Sequence, residues 1–372
     1  MVYIHGGAYS TGSAVDPLLD GRRLAERGPV VVTVQHRLNA FGYLYLARLG
    51  PGLPDSGNAG QLDLILALRW IRANISAFGG DPAQVTVFGQ SGGGAKIATL
   101  MGMPAAAGLF HRAATMSGQQ VTVSGPQNAT ARARAYLAEL RVDSIEALRS
   151  LPAEALVAGL DATDPVLGGG LYFGPVLDMK WLSRHPFWPD ANPQSNAIPL
   201  LLGNTRDETR AFFGPGHPKL AGLNWDNLAE RIAPELRVDA HPEWVVGEYR
   251  RLFPAYSPEE VFFAATTASR SWRAQVIEAE TRAAAGVPAF VYQLDHPTPA
   301  PHGADIPLVF SGEGPVAAAF LRFARTGDPG WPAYRPPERT TMVFAREPRL
   351  ENDPRRRERE LFARIPYIQP GT

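Results

Sequence analysis

The chain has 372 residues, 45% of them hydrophobic and 19% charged, enough for a large buried core in one big or two smaller domains. Acidic and basic residues balance at 36 each, which gives no bulk charge to draw the chain to nucleic acid or an anionic membrane. Cysteine is absent, excluding disulfides, thiolate nucleophiles and cysteine-held metal; together with the lack of any membrane-length apolar run or visible signal peptide, this sets the expectation of a cytoplasmic protein.

The opening residues Met1-Val2-Tyr3-Ile4 read as a strand running into His5-Gly6-Gly7-Ala8-Tyr9. Small residues directly after a strand let successive backbone N–H groups turn toward one point, as an oxyanion-binding loop or as a plain glycine turn. A short helix is expected over Leu18-Leu19-Asp20-Gly21-Arg22-Arg23-Leu24-Ala25, and a fully buried strand over Val30-Val31-Val32-Thr33-Val34. After a Pro/Gly-rich loop, residues 62–78 carry apolar side chains at helical spacing, including Leu66, Trp70 and Phe78, until Gly79-Gly80-Asp81-Pro82 stops the helix. Arg37 and Asp63, each flanked by apolar sequence, are read as a buried structural ion pair.

The β-branched run Val85-Thr86-Val87-Phe88 then breaks into Gly89-Gln90-Ser91-Gly92-Gly93-Gly94, with helix-compatible residues following. This is the strand, turn and helix context of the G-x-S-x-G nucleophile elbow, in which a strained turn projects the serine Oγ into open space. The elbow also leaves the Gly92 N–H at a helix start, aimed where an oxyanion would form. Ala113-Ala114-Thr115-Met116-Ser117-Gly118 is a further strand. Residues 126–195 and 226–285 read as helical insertions, separated by the strand around 198–203 and followed by another at 289–294. The arginine-dense tail over 352–359 reads as a solvated surface segment. Helices alternating with short apolar strands indicate an α/β, doubly wound, mostly parallel sheet in a single domain spanning 1–372.

A serine alcohol needs a histidine base and an acid that orients it. On an α/β-hydrolase sheet these follow the serine in the order acid, then histidine, each on a loop after a core strand. Asp207 and Glu208 both follow the 198–203 strand, and His296 and His302 both follow the 289–294 strand, so position alone leaves both choices open.

Taken in order, His5-Gly6-Gly7-Ala8-Tyr9, Asp20-Gly21-Arg22-Arg23-Leu24-Ala25, Ala67-Leu68-Arg69-Trp70-Ile71, Ile75-Ser76-Ala77-Phe78-Gly79-Gly80-Asp81-Pro82, the elbow, Ser117-Gly118, Arg206-Asp207-Glu208 and His302-Gly303-Ala304-Asp305-Ile306-Pro307 resemble the type-B carboxylesterases. That family includes bacterial para-nitrobenzyl esterases and the cholinesterases, and the similarity runs over almost the whole chain. The resemblance implies the α/β-hydrolase fold and hydrolysis of esters of neutral alcohols or phenols through an acyl-enzyme. It implies Ser91, Glu208 and His302 as nucleophile, acid and base; Gly7, Ala8 and Gly92 as oxyanion-hole donors; and Gln90 and Ser117 in supporting positions. Neither a metal nor an organic cofactor is implied. Pocket shape is expected to depend on loops around Tyr9, residues 181–188 and Phe310.

The chain departs from the family pattern in three ways. It starts at the HGG strand, without the N-terminal strands that precede it in the family, so the strand at 30–34 is expected to have an open edge that invites self-association. Gln90 and Gly92 stand where glutamate and alanine are usual, which removes a negative charge from beside the base. Gln35-His36-Arg37 replaces an Asn-Tyr-Arg-like segment. A catalytically silent binding protein of the same fold, a lactonase and a specialised ester hydrolase are the alternative readings.

Overall fold

The computed structural model describes residues 1–369 and 371–372. Eight strands form one sheet: β1 (Val2–Ile4), β2 (Val32–Val34), β3 (Thr86–Gln90), β4 (Arg112–Met116), β5 (Leu200–Thr205), β6 (Ala289–Leu294), β7 (Thr340–Phe344) and β8 (Arg349–Asn352). Their spatial order is β2-β1-β3-β4-β5-β6-β7-β8, parallel throughout except for the final β7–β8 pair. Strands β3, β5 and β6 are buried at every residue, which explains their unbroken apolar runs. Side chains still divide by face. Val2, Ile4 and Val87 pack on one side against Leu64, Leu68 and Ile71 of the helix Ala59–Asn74 and Ile97 and Leu100 of the helix Gly92–Met101. Tyr3 and Phe88 face the other side, against Phe320 and Phe323 of the helix Gly314–Thr326. Helices on both faces of a parallel sheet make the doubly wound architecture.

Several expectations need correction. The strand at 30–34 is shorter, occupies the sheet edge and is only partly buried, because an edge strand has a neighbour on one side alone. The helix after the Pro/Gly loop forms over Ala59–Asn74 and gives way to a 3-10 turn at Ile75–Phe78, but Leu66 and Trp70 on the helix and Phe78 on the turn face outward, 65%, 51% and 62% exposed; the inward stripe is Leu64, Leu68 and Ile71. Arg37 and Asp63 do pair, at 2.7 Å, yet the arginine side chain is 55% exposed, so the pair is worth at most about 1 kcal/mol. A buried ion pair forms instead between Arg132 and Asp164, at 2.7 Å. In the arginine-dense tail, Arg356 and Arg357 are exposed as expected, but Arg355 is buried and donates two hydrogen bonds to buried Glu358, so one side of that segment is packed.

Both long excursions from the sheet are helical. Between β4 and β5 lie the helices Pro126–Glu139, Ile145–Ser150 and Ala153–Ala158. Between β5 and β6 lie Leu228–Ile232, Pro242–Leu252, Pro258–Thr267 and Arg273–Ala284. The last two are joined by a wide π turn, Ala268–Trp272, in which the Arg273 N–H reaches back to the Ala268 carbonyl.

One buried cation ties the first strand to the helix after β3. Lys96 is fully buried, and its Nζ donates to the Ala8 carbonyl at 2.7 Å and the His5 carbonyl at 3.2 Å, bracketing the loop between them. The ammonium also lies 5.4 Å from the Tyr9 ring centroid, and no carboxylate pairs with it among the described residues. Burial pushes its pKa down from 10.5 to about 7. The unfolded chain therefore holds this proton in a pH window where the folded chain has released it, and linkage makes Lys96 increasingly favourable to folding as pH rises through that window. We expect the stability difference between wild type and Lys96→Met, read from urea midpoints, to shift toward wild type between about pH 7 and about pH 10. A difference that stays constant over this range would contradict an unpaired buried amine.

Candidate active site

Strand β3 delivers the chain to Ser91, whose φ of 55° and ψ of −127° form a strained turn before the helix Gly92–Met101 begins. Glycines are required here by contact. A Cβ on Gly93 would lie 1.9 Å from the Ile4 carbonyl oxygen, and one on Gly92 would lie 2.1 Å from the Ala8 carbonyl oxygen. The elbow is thus pressed against β1 and the loop that follows it. In that loop Gly7 and Ala8 are both left-handed, with φ of 83° and 52°, and neither N–H donates to a protein acceptor among the described residues. Gly92 opens its helix, where an N–H has no intrahelical partner. Ala8 and Gly92 line the same cleft as Ser91, and Gly7 directly precedes Ala8.

Glu208 follows β5 and is fully buried. Its Oε1 accepts from Asn204 Nδ2 at 2.9 Å and the Thr205 N–H at 2.8 Å, while its Oε2 bonds to His302 Nδ1. Burial alone would raise its pKa; the facing His302, with help from Ser117 and Asn204, outweighs that and holds the carboxyl below its ordinary range. The His302 Nε2 is buried without a hydrogen-bond partner, and both His302 and Ser91 line one cleft of about 590 Å³. Ser91 Oγ makes no hydrogen bond to His302 Nε2.

The two sequence rivals sit elsewhere. Asp207 accepts from the Ala300 N–H at 3.0 Å and lies 3.7 Å from Arg210, so it braces the loop that carries His302. His296 is exposed, anchored through its backbone N–H to the Phe344 carbonyl. Gln90 is buried with its Nε2 unpartnered, 3.7 Å from where a Cβ on Gly303 would be, which puts the amide beside the His302 loop. Tyr9 lines the cleft and donates its hydroxyl to Gln120 Oε1 at 2.8 Å.

Phe310 does not line the cleft. Its ring packs 5.0 Å from Tyr3 and 5.7 Å from Phe88 in the core on one face of the sheet. The 181–188 loop is also removed from it: Trp181 packs on the opposite core and donates to Asp55. The cleft walls instead come from both helical excursions, namely residues 167–173 together with Phe212, Arg237 and Arg270, and from Tyr367 in the C-terminal segment. The 167–173 loop is shaped by Asp164, which accepts from the backbone N–H groups of Val166, Leu167 and Tyr172 while paired with Arg132. No motif marks these residues in the sequence. A lone lysine inside the apolar helix after the elbow was the one signal available for Lys96.

Residues 1–356 match the carboxylesterase family. The para-nitrobenzyl esterase of Bacillus subtilis (strain 168) is 34% identical, the match covering 97% of this chain and 78% of that protein. A probable N-octanoylanthranilate hydrolase, AqdA2, of Rhodococcus erythropolis is 32% identical over 93% of this chain and 77% of its own. The crystal structure of the Geobacillus stearothermophilus carboxylesterase EST55 superposes with a TM-score of 0.85 at 34% identity, covering 96% of this chain and 81% of that one. A solved para-nitrobenzyl esterase gives 0.81, also at 34% identity, over 96% of this chain and 80% of that one. With an elbow serine, a histidine bonded to a buried glutamate and free backbone donors around one cleft, the chain belongs to the carboxylesterase family, has the α/β-hydrolase fold and is a carboxylic ester hydrolase.

Proposed function

We propose that Ser91, His302 and Glu208 carry out ester hydrolysis through an acyl-enzyme, and that the substrates are esters of neutral alcohols or phenols. The observation that carries this reading is the His302–Glu208 hydrogen bond at the edge of a cleft that also holds Ser91 on its strained turn. Ser91 Oγ attacks the carbonyl carbon as His302 Nε2 takes its proton. The tetrahedral oxyanion then forms against the Gly7, Ala8 and Gly92 N–H groups, which are already oriented and cost no reorganisation. Collapse expels the alcohol, which receives the proton from His302, and water repeats the sequence on the acyl-enzyme. Glu208 fixes the imidazole through Nδ1, so that Nε2 faces the reaction, and stabilises the imidazolium. No aspartate or glutamate lines the cleft among the described residues, which favours a neutral alcohol over a cationic one.

In this reading the chain 1–372 works as one domain. The 126–195 and 226–285 excursions build the cleft walls, Gln90 and Ser117 support the base and the acid, and Tyr9 shapes the pocket. A chain with no cysteine suits a reducing, cytoplasmic setting. The partly exposed edge strand β2 is the surface through which self-association would occur, and a concentration-dependent mass in sedimentation that Val32→Lys abolishes would test it.

The acid assignment separates two neighbouring carboxylates. Glu208→Gln keeps the shape but leaves the imidazole without its anion, and is expected to lower kcat by about three to four orders of magnitude. Asp207→Asn weakens only the bracing of the Ala300 loop and is expected to act mainly on thermal stability. Steady-state kinetics on a 4-nitrophenyl ester at equal folded fraction would check both; equal kinetic damage from the two variants would rule out the assignment.

A further inference from the structure

The cleft is electrostatically one-sided. Its charged lining residues are Arg237 and Arg270, carried by the excursion between β5 and β6. Arg270 sits on the π turn Ala268–Trp272, a local widening of the helix. Its guanidinium lies 4.9 Å from the Phe212 ring centroid, and that ring lies 5.1 Å from the ring of His302, so the cation stands one aromatic ring away from the base. Arg237 is close enough for the two charges to repel.

The acids nearby do not neutralise the pair. Glu235 reaches Arg270 at 3.3 Å but gives its other oxygen to Lys219, so one carboxylate serves two cations. Arg237 has no carboxylate partner among the described residues, and its Nε is buried without a hydrogen-bond acceptor. Glu278, behind the cleft, accepts from the Gln120 N–H, and burial raises its pKa to about 8, so at neutral pH it supplies no compensating charge. Glu208 is committed to His302. Two guanidiniums in a chain with no net charge, gathered in the reaction cleft with unfilled donor capacity, match the planar, forked geometry that recognises a carboxylate.

We propose that Arg237 and Arg270 form a subsite for a second, ionised carboxyl group on the substrate, so that the preferred esters are half-esters of dicarboxylic acids. This rests on the hydrolase reading above, in which the alcohol is neutral and the charge therefore falls on the acyl part. The acyl carboxylate stays on the arginines through both acylation and deacylation, since it belongs to the half of the substrate that remains attached to Ser91. Chemistry at the scissile bond is unchanged.

The test compares mono-4-nitrophenyl adipate with its neutral methyl diester on wild type, Arg237→Gln, Arg270→Gln and Arg237→Lys. Wild type is expected to favour the anionic ester in kcat/KM by about tenfold or more at low salt, with the preference shrinking as salt is added. Arg237→Gln and Arg270→Gln should each reduce that ratio severalfold, chiefly through KM, and Arg237→Lys should restore part of it. A wild-type ratio near or below unity, or a ratio that neither glutamine variant moves, would overturn the proposal. So would a preference that appears only when the carboxylate is on the alcohol, measured with 4-carboxyphenyl acetate against its methyl ester.

Binding read without turnover separates this claim from the hydrolase reading. Calorimetry on Ser91→Ala protein should show tighter binding of monomethyl adipate than of dimethyl adipate. If no ester is hydrolysed by wild type while the monoester still binds preferentially, the catalytic assignment fails and the subsite stands. Turnover of neutral esters with no anion preference in either assay is the reverse outcome.

Discussion

The close approach of the elbow helix to the loop after β1 is the contact on which the rest of the site depends. Gly93 meets the Ile4 carbonyl, Gly92 meets the Ala8 carbonyl, and Lys96, one turn further on, donates to the carbonyls of His5 and Ala8. Each contact is made by backbone or by a fully buried side chain, so Ser91 and the loop Gly7–Ala8 proposed to supply its donors are fixed relative to one another. Preorganisation of this kind is what makes an oxyanion hole effective, because dipoles already aligned need not be reoriented as charge develops. Burying an unpaired amine is costly, and the two loop carbonyls that accept from Lys96 Nζ offset part of that cost.

The fold separates rigidity from variability. Strands β3, β5 and β6 are buried along their full length, and the loops at their ends carry Ser91, Glu208 and His302. The cleft walls come from the two helical excursions, held by local devices such as the Arg132–Asp164 pair and the π turn at Ala268–Trp272. In the proposed reading the reaction geometry rests on the sheet while the excursions shape what enters.

How far the sequence discloses this follows the same division. The elbow is readable because its glycines are demanded by backbone contact, and the order of serine, acid and histidine is demanded by the sheet. Two choices, Glu208 over Asp207 and His302 over His296, rest on family resemblance and not on spacing; in the structure Glu208 Oε2 meets His302 Nδ1, while Asp207 holds the Ala300 N–H. Strands β7 and β8 escape because β8, Arg-Leu-Glu-Asn, is mostly exposed and lacks apolar alternation. Leu66, Trp70 and Phe78 mislead because an apolar residue at helical spacing does not say which stripe faces inward. Phe310, expected at the pocket, packs its ring instead against Tyr3 and Phe88 on one face of the sheet. Arg237 and Arg270 carry no motif, and only tertiary structure brings them into one cleft with Ser91.

The central claim is that this chain holds a nucleophilic serine poised for acyl transfer at position 91. Covalent labelling with a fluorophosphonate tests it most directly, since that reagent traps a serine activated in its folded site and spares ordinary hydroxyls. Peptide mapping of the folded protein should place one adduct per chain on the peptide containing Ser91, with labelling abolished by prior heat denaturation. An adduct on another residue, or a folded protein that takes up no label, would contradict the account.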